Sequence, residues 1–164
     1  MSFTILIVVV HVFSAIAMVA GIVARELTRM QMHATTDFDA YLTLLDMVGR
    51  FENILVRPGS LLIAISGILL AVLEGYPLFG VLQGGQVNWL LISNLLVISI
   101  IALIIFVFIP QGRQFDGLLE EAKQKREITP ALREEDKRPL VVWAHRYENL
   151  ATALVLFLMI AKPI

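Results

Sequence analysis

The chain contains no cysteine. That excludes disulfides, thiolate metal sites, iron–sulfur clusters and covalent attachment of a c-type haem. Charge is scarce as well: 16% of the 164 residues are Asp, Glu, Lys or Arg and 58% are hydrophobic, whereas soluble domains carry about a quarter charged residues. There is no glycine-rich phosphate loop, nucleophile elbow, zinc-ligand cluster or basic nucleic-acid patch. No positive stretch precedes the first apolar run, which is longer than a signal-peptide core. Although 13–17 (FSAIA) resembles a cleavage site, the run reads as an uncleaved membrane span.

What is present is hydrocarbon in blocks. Residues 3–24, 54–73, 89–109 and 140–161 form four apolar stretches, each of about 20 residues and so long enough to cross a bilayer as a helix. The expected fold is all-α, a single integral membrane domain (1–164) forming a four-helix transmembrane bundle of two hairpins. The connections 25–53 and 110–139 hold most of the cations, and Arg57 and Arg146 lie in the first turns of spans two and four. Twelve of the 13 Lys and Arg residues therefore fall on one side, leaving Lys162 on the other. The positive-inside rule makes the rich side cytoplasmic, with both termini outside. The expected location is the bacterial inner membrane, crossed several times.

Local signals subdivide the connections. Thr36 or Asp37 suits a helix cap ahead of an amphipathic segment leading into span two. Pro58, just inside that span, marks its first turn or a kink. Gly75, Pro77, Gly84 and Gly85 signal turns in the outer connection, whose LFGVL segment suits the membrane interface. The second cytoplasmic connection is highly charged, with Glu/Lys spacing that fits a solvated helix. Trp89, Trp143 and Tyr147 fall near span ends, where amphipathic rings settle.

A short repeat links spans two and four. Arg50-Phe51-Glu52-Asn53-Ile54 opens one and Arg146-Tyr147-Glu148-Asn149-Leu150 the other, as two parallel hairpins related by an axis along the membrane normal would produce. Under that repeat span one corresponds to span three, and His11 comes level with Asn94 in the outer half. Gly67 on span two falls near the same depth, leaving room for a flat group or for close helix contact.

His11 is the ionisable group inside the first span. A side chain of that kind is costly at such depth and marks a pathway, a ligand or a buried hydrogen bond. One expectation is an axial haem ligand in the interior of the bundle; the other is a hydrogen bond to a neighbouring helix, for example to Asn94, with no cofactor. His33 and His145 fall toward the cytoplasmic side, roughly 15 to 20 Å away at the helical rise, so a bis-histidine site is not expected. Met18, seven residues after His11, shares its face, and Met159 lies in span four; packing is the commoner role for both. Ser60, Ser66, Ser93 and Ser99 suit close helix packing.

At the inner end Arg25, Arg50, Arg57 and Arg146 gather with Glu26, Glu52, Asn53, Glu148 and Asn149. The cluster fits either a polar cup for haem propionates, a quinone headgroup or an anionic substrate, or helix-end ion pairing with snorkelling to lipid headgroups.

These residues resemble the HemJ-type protoporphyrinogen oxidases and the small four-helix membrane proteins around them. The likeness is carried by the histidine early in span one with Ala20-Gly21 and Arg25, by RFENILVRPGSLLIAISGILL in span two, by Trp89-Leu90, and by ENLATALVLFLMIAKP at the end. The sequence looks still more like a bacterial family of the same four-helix build, for which the resemblance supplies a fold and no activity. The HemJ likeness implies a b-type haem held by the span-one histidine, here His11, and a functional lysine in span three. At that lysine's position stands Ser93 or Asn94, with no Lys or Arg between residues 88 and 110. The enzyme class therefore stays open.

Two functional expectations follow. The first is a small membrane redox protein with haem b on His11, with Asn94, Arg25, Arg50 and Arg146 as further cofactor contacts. It would exchange electrons with a porphyrin, a quinone or a membrane partner. The second is a cofactor-free accessory or structural subunit of a larger membrane complex, in contact with lipid and, in either case, with a partner or a second copy of itself. A minimal transporter is a third, supported by the repeat alone.

Overall fold

The computed structural model describes residues 3–80 and 88–162; the turn signals at Gly84 and Gly85 lie outside them. The described residues are helical and contain no strand. In order they form α1 (Phe3–Ala34), α2 (Phe38–Phe51), a π-helical turn (Glu52–Val56), α3 (Arg57–Leu73), α4 (Trp89–Leu103), a second π-turn (Ile104–Phe108), α5 (Ile109–Lys125), α6 (Pro130–Asp136) and α7 (Pro139–Ala161). They group into two compact units, Met1–Tyr76 and Pro77–Ile164. The boundary falls in the outer connection, where two hairpins would be joined.

Among the described residues three helices are long and apolar enough to cross a membrane: Phe3–Ala34, Phe38–Leu73 and Trp89–Lys125. The expected fourth span is not among them. α7 is 23 residues long, but His145, Arg146, Glu148 and Asn149 occupy its first half and lower its apolar content. Each of the three spanning helices also exceeds what hydrocarbon demands. The 32 residues of α1 extend about 48 Å against a core of about 30 Å, so its last turns, and α5 likewise, project beyond the membrane.

In the first unit α1 runs antiparallel to α2 and α3. Its buried residues Ile7, Ser14, Gly21 and Thr28 recur every seven positions, joined by Arg25 and Met32, the spacing of a helix seam. Small residues set the distance across it. A Cβ on Gly21 would lie 2.7 Å from Leu55 Cβ, and one on Gly59 would lie 3.0 Å from the Ser14 carbonyl and Met18 Cβ. Backbone therefore approaches backbone, the way polar-poor membrane helices gain dispersion energy. Met32 and Tyr41, each 1% exposed, close the projecting end. Asp37, one of the two expected caps, accepts from the Ala40 amide at 2.7 Å and starts α2.

Proline explains both π-turns. Pro58 and Pro110 lack an N–H and their rings clash with the carbonyl four residues back. Immediately upstream the helix widens: Arg57 N donates to the Glu52 carbonyl and Ile109 N to the Ile104 carbonyl, five residues away in each case. Pro58 thus sits inside one continuous helix as a local widening, and does not start it. At its outer end Gly75 adopts φ 72°, the left-handed turn that glycine permits.

In the second unit α7 packs against α4. Val141, Ala144, Glu148, Ala151 and Leu158 form its buried stripe, and Leu90 and Ser93 are the buried residues of α4. Asn88 caps α4 by accepting from Leu91 N at 2.8 Å. The charged connection forms α5 and α6, with Lys123–Glu120 and Lys125–Glu121 pairs on the exposed face of α5, as its Glu/Lys spacing predicts.

Candidate functional site

The seam of the first unit holds one imidazole. His11 lies four residues after Ile7 and three before Ser14, on the side of α1 that meets α3. It is half-buried rather than lipid-exposed. Its Nδ1 stands 2.9 Å from the Ser66 hydroxyl, and Ser66, 4% exposed, also donates to the Leu62 carbonyl at 2.5 Å. The ring rests against Gly67, where an added Cβ would meet His11 Cε1 at 3.2 Å and Nδ1 at 3.8 Å. Gly67 is therefore at the depth of His11, as the sequence suggests, and serves close contact with its ring. Ser66 is the residue that sequence reasoning did not single out. It reads as one of several packing serines, and its partner is 55 positions away.

The Asn94 amide donates to the Leu78 carbonyl at 2.7 Å, tying α4 to the segment before it within the second unit. Ser93 donates to the Trp89 carbonyl of its own helix at 2.8 Å. His33 closes α1, 22 residues beyond His11 on the same helix and so about 33 Å away along the axis, farther than the expected distance because α1 runs unbroken through both.

The guanidinium groups expected to line a polar cup are engaged with carboxylates or rings. Arg25, 5% exposed, donates from Nη1 to Glu52 Oε2 at 2.8 Å and approaches Glu26 at 3.5 Å. Arg57 takes the other oxygen of Glu52 at 3.4 Å. The first π-turn presents Glu52 between a buried arginine, Arg25, and an exposed one, Arg57. Arg50 pairs with Asp46 at 2.7 Å on the exposed face of α2. Arg146 lies over Trp143, 5.7 Å from the ring centre, a cation–π geometry.

The second copy of the repeat is built differently. Glu148 is 7% exposed and lies 3.4 Å from His145 Nδ1, whose ring stacks on Phe108 of the second π-turn with centroids 4.5 Å apart. The Tyr147 hydroxyl meets Ser99 of α4 at 2.5 Å. At the other end of this unit the Lys162 ammonium sits 5.6 Å from the Trp89 ring centre. Among the described residues no group of three or more His, Asp or Glu is arranged to hold a metal ion.

A family model described as a predicted integral membrane protein (DUF2269) matches residues 5–163. The chain belongs to this family. Membership establishes an integral membrane protein in contact with lipid, and it does not carry the likeness to HemJ-type oxidases. No curated protein matches the DUF2269 chain and no solved structure matches it.

Proposed function

We propose that this member of the DUF2269 family is a small membrane redox protein that binds one b-type haem through His11, in a four-span bundle in the bacterial inner membrane. The observation that carries the reading is the imidazole at membrane depth, turned into a helix seam, with Nδ1 engaged by Ser66 and the second ring nitrogen left for a ligand. Metal-ligating histidines characteristically have their other nitrogen hydrogen-bonded in this way. The donor set fits a non-covalent haem: an imidazole whose Nδ1 meets a hydroxyl, and no cysteine for covalent attachment. When bound, the haem would supply one-electron transfer to a quinone, a porphyrin or a protein partner. His11 would hold it, with Ser66 orienting His11 and Gly67 leaving the ring its place.

Four spans follow from adding α7 to the three longer helices, because the apolar stretch after Asn149 ends at Lys162, whose contact with Trp89 suits an interfacial anchor pair. Protoporphyrinogen oxidation is not proposed: the span-three position offers Ser93 and Asn94, both engaged with backbone carbonyls. The test is an absorbance spectrum of protein purified from membranes. A Soret band that disappears in His11→Ala supports the haem. Colourless protein that stays colourless after reconstitution with excess haemin removes it.

A second reading has its own support. The His11–Ser66 bond and the Gly21 and Gly59 contacts join α1 to the helix opposite without any cofactor. In that case the chain is an accessory subunit of a larger membrane complex, and the same colourless result would favour it.

A further inference from the structure

We infer that Ser66 sets the tautomer of His11, so that Nδ1 carries the hydrogen and Nε2 presents its lone pair. The inference rests on the haem reading only for what Nε2 binds; the tautomer belongs to the metal-free chain. A serine hydroxyl has a single hydrogen and two lone pairs. Around Ser66 Oγ stand the Leu62 carbonyl at 2.5 Å and the Ile63 carbonyl at 3.3 Å. Carbonyls only accept, so the serine hydrogen is committed to its own helix, as it is for Ser60, Ser93 and Ser99. Toward His11 the hydroxyl can then only accept.

The group 2.9 Å away on the imidazole must therefore be Nδ1–H. A neutral imidazole has one N–H, so Nε2 is an acceptor. Of the ring atoms, Cε1 and Nδ1 are those within 4 Å of a Cβ placed on Gly67, so Nε2 is not the atom that seats the ring on α3. The Nε2 lone pair suits a Lewis-acidic metal centre. Ser66 reaches any such ligand only through His11 and is a positioning residue.

The test uses full-length protein in lipid nanodiscs with nitrogen-15 histidine, free of haem. Three histidines are present, and the His11 signals are those that vanish in His11→Ala. The expected spectrum has His11 protonated on Nδ1 and bare at Nε2. Ser66→Ala should give a mixture of tautomers, and Ser66→Thr, which keeps a hydroxyl, should restore the single form. Wild-type His11 protonated on Nε2 would overturn the inference, as would an unchanged tautomer in Ser66→Ala. Titration with haemin supplies the second arm: Ser66→Ala should bind roughly 10- to 100-fold more weakly, the range for outer-shell partners of metal ligands, and Ser66→Thr should recover. Haemin binding undiminished in Ser66→Ala counts against the positioning role. The expected tautomer in a wild-type protein that takes up no haemin upholds the role of Ser66 and removes the haem reading.

Discussion

Gly67 lies directly beneath the imidazole of His11: an added Cβ would come 3.2 Å from Cε1. Contact that close obliges the ring to move if anything larger than hydrogen occupies position 67. Gly67→Ala should therefore leave the α1–α3 hairpin folded while displacing the ring from Ser66. The cost is at the low end of the roughly 1–3 kcal/mol typical of overpacking, because a side chain rather than backbone must yield. Haemin titration of Gly67→Ala should show affinity at least about tenfold weaker, in line with loss of an outer-shell partner. Equal affinity would mean that the ring position is immaterial.

Gly21 and Gly49 make a sharper contrast. At Gly21 a Cβ would stand 2.7 Å from Leu55 Cβ and 2.9 Å from Val56 Cγ2, whereas at Gly49 nothing lies within 4 Å. Gly21→Ala forces two helices apart and should destabilise the first unit by about 1–3 kcal/mol. Gly49→Ala, in the last turn of α2 where the helix runs on into the π-turn, should instead stabilise it by up to about 1 kcal/mol through helix propensity. Denaturant unfolding in detergent, followed by circular dichroism, separates the two signs.

The distribution of apolar residues made the helical class and three spans legible, because hydrocarbon tolerates no unpaired backbone and leaves few alternatives to long helices. The fourth span is less plain, since α7 carries His145, Arg146, Glu148 and Asn149 in its own length. Pro58 and Pro110 were visible, but not the π-turns before them: each depends on how a clash is relieved in a helix that continues through it. His11 and Gly67 could be placed at one depth by counting. Ser66 could not be distinguished from Ser60, because only the rotation of α3 against α1 decides which serine meets the imidazole. Asn94 could be matched to His11 in depth through a five-residue repeat, but its donation to the Leu78 carbonyl depends on a turn that the repeat does not describe.

Arg25 and Glu52 join α1 to the first π-turn with side chains 6% and 27% exposed. Removing one member of a buried ion pair leaves a charge that the interior cannot solvate, a loss of roughly 3–5 kcal/mol. Glu26 stays within 3.5 Å of Arg25, so Glu52→Gln should fall near about 3 kcal/mol. Asp46→Ala removes the partner of Arg50, where both side chains are more than half exposed, and should change stability by no more than about 0.5 kcal/mol. Unfolding midpoints measured side by side would show the difference. Similar losses for both would mean that the Arg25 cluster is as hydrated as the surface pair.

The absence of cysteine makes the crossing of α7 directly measurable, since an introduced thiol is the only one present. Lys137 lies just before α7 and Lys162 just after it. If α7 crosses the bilayer, Lys162→Cys should react with an impermeant maleimide on intact cells, and Lys137→Cys should react only after the membrane is opened. Glu120→Cys, on the exposed face of α5, should behave like Lys137→Cys, because both belong to the cation-rich side. If α7 lies along one surface, Lys137→Cys and Lys162→Cys will label from the same side. The reason to expect a crossing is energetic: Leu154, Phe157 and Ile160 are 42%, 60% and 85% exposed, and a helix presenting them to water would forgo about 1.5–3 kcal/mol for each large apolar side chain left unburied. Lipid removes that cost only if the apolar half of α7 lies within the hydrocarbon.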